Sequence, residues 1–107
     1  MGLNSISESR VRDNIKDYLL SLAKLGQCWF LKVLGNGMQK GGVPDYLICY
    51  KGRFVAVELK KPVDSYGLSG RQRIELNKIE RAGGVIGREI TSVEELKDII
   101  KSLDELI

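Results

Sequence analysis

The chain is expected to form an α/β layered fold, with a mixed sheet of about four strands flanked by helices. Three observations carry this. Periodicity gives the order helix, strand, strand, strand, helix, strand, helix, which interleaves the two element types. Two adjacent apolar runs, Tyr46 to Tyr50 and Phe54 to Leu59, are joined by a tight turn whose Lys51-Gly52 supplies a glycine suited to positive φ. Three S-x-x-E/Q patterns, Ser5 to Glu8, Ser69 to Gln72 and Ser92 to Glu95, mark helix starts.

Taken in order, residues 6 to 25 predict an amphipathic helix, with Val11, Ile15, Tyr18, Leu22 and Leu25 along one stripe and Gly26 as its stop. Cys28 to Val33 predicts a strand with Trp29, Leu31 and Val33 on one face. Gly35 to Gly42 is glycine-rich and predicts a loop that leads directly into Pro44-Asp45. After the hairpin, Pro62 cannot extend a ladder, so the second hairpin strand ends by Lys61. Ser69 opens a second helix, which Gly83-Gly84 closes. Val85 to Ile90 predicts a strand, and Ser92 opens a final amphipathic helix through Val93, Leu96, Ile99, Ile100 and Leu103. Its last apolar residues, Leu106 and Ile107, are candidates for a dimer contact.

Composition narrows the chemistry. At 107 residues the chain is expected to be a single domain over 1–107, with 43% hydrophobic and 29% charged residues, as in ordinary globular proteins. No apolar run approaches the ~20 residues of a membrane span. MGLNSISESR lacks the apolar core of a secretory signal, and Cys28 and Cys49 lie within predicted strands, where buried free thiols are common. A cytoplasmic, reducing location is therefore expected. The net charge of +3 permits nucleic-acid binding and equally suits a solvated mixed surface. The chain has no histidine. That excludes Ser-His-Asp and Cys-His catalysis, histidine-metal nucleases and zinc hydrolases, leaving carboxylates and lysine, with or without a metal.

The hairpin places ionisable residues where a strand normally carries apolar ones. A two-residue turn sets Tyr50 opposite Arg53 and, continuing the register, Asp45 opposite Glu58. Phe54, Ala56, Glu58 and Lys60 share one face. Two opposed carboxylates repel and need a compensating charge, for which Mg²⁺, with its preference for oxygen ligands, is the obvious candidate. The plain alternatives are a turn-forming Asp45 and a surface Glu58–Lys60 pair. The second is weakened because Val55, Val57, Leu59, Phe54 and Ala56 make the strand apolar on both faces. Such a strand is usually central and covered.

At these residues the sequence resembles a known family. Pro44-Asp45 followed by Glu58-Leu59-Lys60 is similar to the PD-(D/E)XK nuclease signature. The surrounding GGVPD, the glycine before the second hairpin strand and the Ser69-to-Gln72 segment look like its VRR-NUC branch, and the likeness runs from the first helix to about residue 100. The resemblance implies a restriction-endonuclease-like core and a metal-dependent deoxyribonuclease. Asp45, Glu58 and the Leu59 backbone carbonyl would hold Mg²⁺ or Mn²⁺, and Lys60 would orient or help deprotonate the attacking water. Glu8 is either a helix cap or a further metal-site acid. Gln72 is either a cap or a residue that positions the lysine or the water. Lys32, Lys40, Arg71 and Arg73 are candidates for DNA contact, with solvent-facing roles as the alternative.

Free-standing domains of this kind resemble bacterial and phage homodimers that cut branched DNA, including four-way (Holliday) junctions. No recognition module accompanies the fold, which favours reading of DNA shape over sequence. Three alternatives stand beside junction cleavage: a duplex- or end-acting nickase or exonuclease of the same chemistry, a non-catalytic DNA-binding module, and a structural accessory protein that binds no cation.

Overall fold

The structure, a computed structural model, describes residues 8–33, 41–60 and 70–106. Helix α1 (Glu8–Lys24) precedes β1 (Cys28–Lys32), β2 (Tyr46–Tyr50) and β3 (Arg53–Leu59). Helix α2 (Gly70–Arg81), strand β4 (Val85–Ile90) and helix α3 (Val93–Leu106) follow. The four strands form one sheet in the order β1-β2-β3-β4. β1, β2 and β3 pair antiparallel, and β4 runs parallel to β3 after the crossover through α2. The sheet is mixed, as expected.

The hairpin turn has the predicted length. Tyr50 pairs with Arg53, and the pairing continues to Tyr46 with Val57. Lys51 and Gly52 both adopt positive φ, 47° and 85°, the mark of a type I′ turn whose twist suits the flanking strands. The first two helices also end as predicted. Gly26 donates to the Ala23 carbonyl and Gln27 to that of Leu22; Gly83 donates to Glu80 and Gly84 to Ile79. Both are Schellman closures, with a left-handed glycine just beyond the last turn.

The two faces of the sheet are covered unequally. On one face, α1 and α3 bury Val11, Ile15, Leu19, Leu96, Ile100 and Leu103 against strand residues that include Tyr46, Ile48, Val55 and Val57. On the other, α2 buries Leu76 over Ala56, with Leu47, Ile79 and Ile86 around them. β3 is apolar on both sides because it lies inside the sheet with a helix layer on each.

Several expectations need correction. α1 ends at Lys24, so Leu25 lies beyond the buried stripe and is 70% exposed, while Leu19 joins the core. Cys49 is exposed rather than buried, because the face it occupies on β2 is not covered by α2. Phe54 too is partly exposed. Leu106 is exposed, and Ile107 lies outside the described residues. No described helix is long and apolar enough to cross a membrane.

Candidate active site

The α2 face of the hairpin is built in rows. Leu31, Leu47 and Ala56 stand opposite one another across β1, β2 and β3. The next row on this face, two residues along, brings Asp45 to Glu58. Pairing of β1 continues that far, since the Val33 amide donates to the Asp45 carbonyl at 2.8 Å. The side chain of Asp45 is itself fixed, with Oδ2 accepting the Leu59 amide hydrogen at 2.8 Å. A carboxylate just ahead of β2 is thus bonded to the main chain of β3 next to Glu58.

Glu58 is 0% exposed, the buried charged residue among those described. An isolated ionised carboxylate is costly to bury, so its position inside a central strand has to be sustained by the electrostatics around it. The neighbouring backbone adds another oxygen. The Lys60 amide donates to Ile90 at 2.9 Å, so it points towards β4. The peptide between Leu59 and Lys60 is trans, which turns the Leu59 carbonyl the other way, towards the Asp45 side. The Leu59 carbonyl and the Asp45 carboxylate therefore lie on the same side of β3, beside the residue Glu58. These are hard oxygen donors of the kind Mg²⁺ and Mn²⁺ take. Among the described residues no group of three or more His, Cys, Asp or Glu side chains is drawn together.

Lys60 lies one residue beyond β3 and is exposed, two positions from Glu58. Gln72 is half-buried on α2. Arg71 and Arg73 are exposed, and Arg71 packs directly against the backbone of Gly41 and Gly42, just ahead of Pro44-Asp45. A Cβ on Gly42 would lie 2.6 Å from the Arg71 carbonyl oxygen. The first turn of α2 therefore rests on the segment that delivers Asp45. Lys32 is placed elsewhere: it pairs with Tyr46, and its ammonium lies 5.8 Å from that ring's centroid, on the face opposite Asp45. Glu8 is the first residue of α1. Its suggested partner Ser5, the Ser69 cap suggested for Gln72, and Lys40 lie outside the described residues. Tyr46 offers no rival base or nucleophile: burial first, and the Asp45 charge second, push its hydroxyl above the ordinary value.

Two features of the site were not foreseen. Val57 pairs with Gly87 and Leu59 with Ile90, so Arg88 and Glu89 of β4 stand opposite Glu58 alone. This is a β-bulge, and Glu89 takes a φ of +44° within it. Glutamate gives no sign of such a conformation, whereas Gly or Asn would have. The clasp of Arg71 on Gly41-Gly42 did have a signal, the glycine pair itself, which marks a close backbone approach.

No protein-family model matches the chain, and no curated protein matches it either. A solved structure described as a VRR_NUC domain is similar at 22% sequence identity. The match covers 88% of this chain and 94% of that one, with a TM-score of 0.64. At that identity the likeness speaks for the fold, and it agrees with a mixed sheet flanked by helices. The chain has the α/β, restriction-endonuclease-like fold of a VRR_NUC domain.

Proposed function

We propose that the chain is a metal-dependent DNA endonuclease that hydrolyses phosphodiester bonds, acts as a homodimer and prefers branched DNA such as four-way junctions. The observation that carries this is the meeting of Asp45 with the fully buried Glu58 at one end of the hairpin. A structural protein gains nothing from opposed carboxylates there, and a DNA-binding module would repel its own ligand. Asp45, Glu58 and the Leu59 carbonyl would hold Mg²⁺ or Mn²⁺. When bound, the ion supplies the positive charge that lets the carboxylates stand together, and Lewis acidity towards a phosphate oxygen.

The remaining work falls to the chain's own groups. Lys60, exposed beside Glu58, places an ammonium where it orients a water or balances negative charge on the phosphate. Arg71, held at the start of α2, offers a guanidinium to the DNA backbone next to the segment carrying Asp45. Gln72 adds an amide to the same end of α2, and Glu8 would bring a further carboxylate from the start of α1. Branched DNA is favoured because a two-fold pair of sites cuts two strands symmetrically.

The test is cleavage of a labelled four-way junction beside a linear duplex of the same sequence, in Mg²⁺ or Mn²⁺, with a chelator control and Lys60→Ala. Calorimetric titration of Mn²⁺ into wild type and Glu58→Gln runs alongside. Junction-selective cutting that is lost with chelator and with Lys60→Ala, together with Mn²⁺ binding lost in Glu58→Gln, is the expected result. Equal cutting of both DNAs would leave a duplex nickase or exonuclease. Binding of DNA without cutting in either metal would sink the enzyme.

A further inference from the structure

Strand β4 carries an irregularity that its own side-chain pattern does not need. Gly87 and Ile90 both face the layer of α1 and α3: a Cβ on Gly87 would lie 3.1 Å from Ile99 of α3, and Ile90 belongs to the core on that side. Arg88 faces α2 instead, where its Nη2 donates to Asn77 Oδ1 at 2.5 Å and lies 3.8 Å from Glu80 Oε1. Without Glu89 the strand would read core, α2 side, core, in regular alternation. With Glu89 the alternation breaks, and two residues stand opposite Glu58 where one would do. Pairing resumes at once beyond it, with Leu59 beside Ile90 and the Lys60 amide donating to the Ile90 carbonyl.

The insertion is also costly. Bulges are rare between parallel strands, and Glu89 takes a left-handed φ of +44° that a glutamate disfavours. A strained residue that the core does not call for, set directly opposite a fully buried carboxylate, points to a role at that carboxylate.

In a regular ladder Arg88 would stand opposite Glu58 on the same face, one strand spacing or roughly 4.8 Å away. A guanidinium there could pair bidentately with the carboxylate and fill the space a cation needs. Such a buried pair, once made, is hard to break, since separating it leaves a charge uncompensated in the interior. The bulge takes Arg88 out of that register, and Asn77 and Glu80 hold its guanidinium on α2.

We propose that the Glu89 bulge is a positioning device for the candidate site: it steers Arg88 onto α2, so that Glu58 keeps its charge for a divalent cation. Arg88 and Glu89 are then positioning residues that touch neither the ion nor the DNA. The inference rests on the cation site proposed above for its purpose, whereas the steering of Arg88 is a property of the chain alone.

The test is a double-mutant cycle between Glu58→Gln and Arg88→Gln, read by urea unfolding without cation. It is run in the wild-type chain and in a chain with Glu89 deleted. In the wild-type chain the two substitutions should be nearly independent, their coupling changing the unfolding constant by less than about twofold. Deletion of Glu89 brings Arg88 opposite Glu58, and the coupling should rise to about tenfold or more. Calorimetric titration of Mn²⁺ gives the second readout. Arg88→Gln should bind Mn²⁺ like wild type, and the deletion about tenfold or more weaker. Adding Arg88→Gln to the deletion should recover most of that loss, which separates an intruding guanidinium from general damage to the strand. Should the deleted chain fail to fold, Asn77→Ala with Glu80→Ala, both at exposed positions, frees the guanidinium and leaves β4 intact. The same cycle should then show a coupling of about threefold or more.

A tenfold coupling already present in the wild-type chain, roughly, would overturn the proposal. So would no rise on deletion, no rise on release from α2 where the deleted chain does not fold, or a Mn²⁺ loss that Arg88→Gln does not recover. A wild-type chain that binds no Mn²⁺ yet gains the coupling on deletion would refute the cation site and leave the steering of Arg88 standing.

Discussion

Gly42→Ala tests whether α2 and the Asp45 segment are built as one unit. Gly42 has a φ of +84°, where a Cβ costs about 1–2 kcal/mol. That Cβ would also meet the Arg71 carbonyl, oxygen at 2.6 Å and carbon at 2.7 Å, both backbone atoms that a side-chain rotation cannot move. Such overpacking typically costs a further 1–3 kcal/mol, roughly. Against these stands a gain of about 0.4–1 kcal/mol from the stiffer unfolded chain. The net expected loss is about 2–4 kcal/mol.

Gly26 and Gly52 supply the controls. Their φ values, 73° and 85°, are almost the same, yet an added Cβ meets nothing within 4 Å at either position. Alanine there should cost only the conformational part, about 1 kcal/mol net. Urea unfolding of the three variants, compared by linear extrapolation, isolates the contact with α2 as the difference. A Gly42→Ala loss no larger than that of Gly52→Ala would refute the claim that α2 rests on residues 41–42. If the contact also positions the site, the folded variant should cut DNA about a hundredfold more slowly, since a shift near 1 Å can cost that much.

Two other predictions concern the far end of the hairpin and the thiols. Tyr50 donates to Asp104 Oδ1 at 2.8 Å and the Lys51 ammonium at 3.1 Å, tying the turn to α3. These bonds hold the Asp104 carboxyl below its ordinary 3.8. Its contribution is therefore present above that value and lost as pH falls through the lower folded value. Asp104→Asn should melt earlier than wild type near about pH 7 and coincide with it in strong acid; a gap unchanged by pH would refute this role. Ellman's reagent should find one fast thiol, the exposed Cys49, and one slow. The slow one is Cys28, half-buried, bonded to the Leu19 carbonyl at 3.5 Å and raised in pKa chiefly by burial. A single common rate would contradict the burial difference.

What the sequence showed most clearly was whatever local chemistry decides. Lys51-Gly52 set the turn, Gly26 and Gly83 the helix ends, and alternation along β3 the faces of Val55 to Leu59, because each depends on nearest neighbours. Ser92 and Glu95 were read correctly as the start of α3, though Glu95 reaches the amide of Thr91, one residue before the cap. What stayed hidden depended on which element covers which face. Trp29, Leu31 and Val33 were assigned to one face, but nothing in their spacing shows that α2 leaves that half of the sheet bare. Cys49 was misread as buried for the same reason. The bulge at Arg88-Glu89 had no local signal at all, since the residue that takes the left-handed conformation is a glutamate.

The candidate site depends on a register set at the opposite end of the hairpin. Asp45 and Glu58 share a face only because Tyr50 pairs with Arg53 across a two-residue turn, five pairs away. A one-residue slip would send one carboxylate into the core under α1 and α3 and leave the other on the α2 side. Three features hold that register: the positive φ of Lys51 and Gly52, the tie from Tyr50 and Lys51 to Asp104, and the bond from the Leu59 amide to Asp45. The last lies at the site itself, so Asp45 helps fix the pairing and, in the proposed function, would also offer oxygen to a cation. A carboxylate buried as deeply as Glu58 is costly wherever it sits. A hairpin clamped at both ends would hold Glu58 and the half-buried Asp45 in a fixed relation, as the proposed binding of an ion requires.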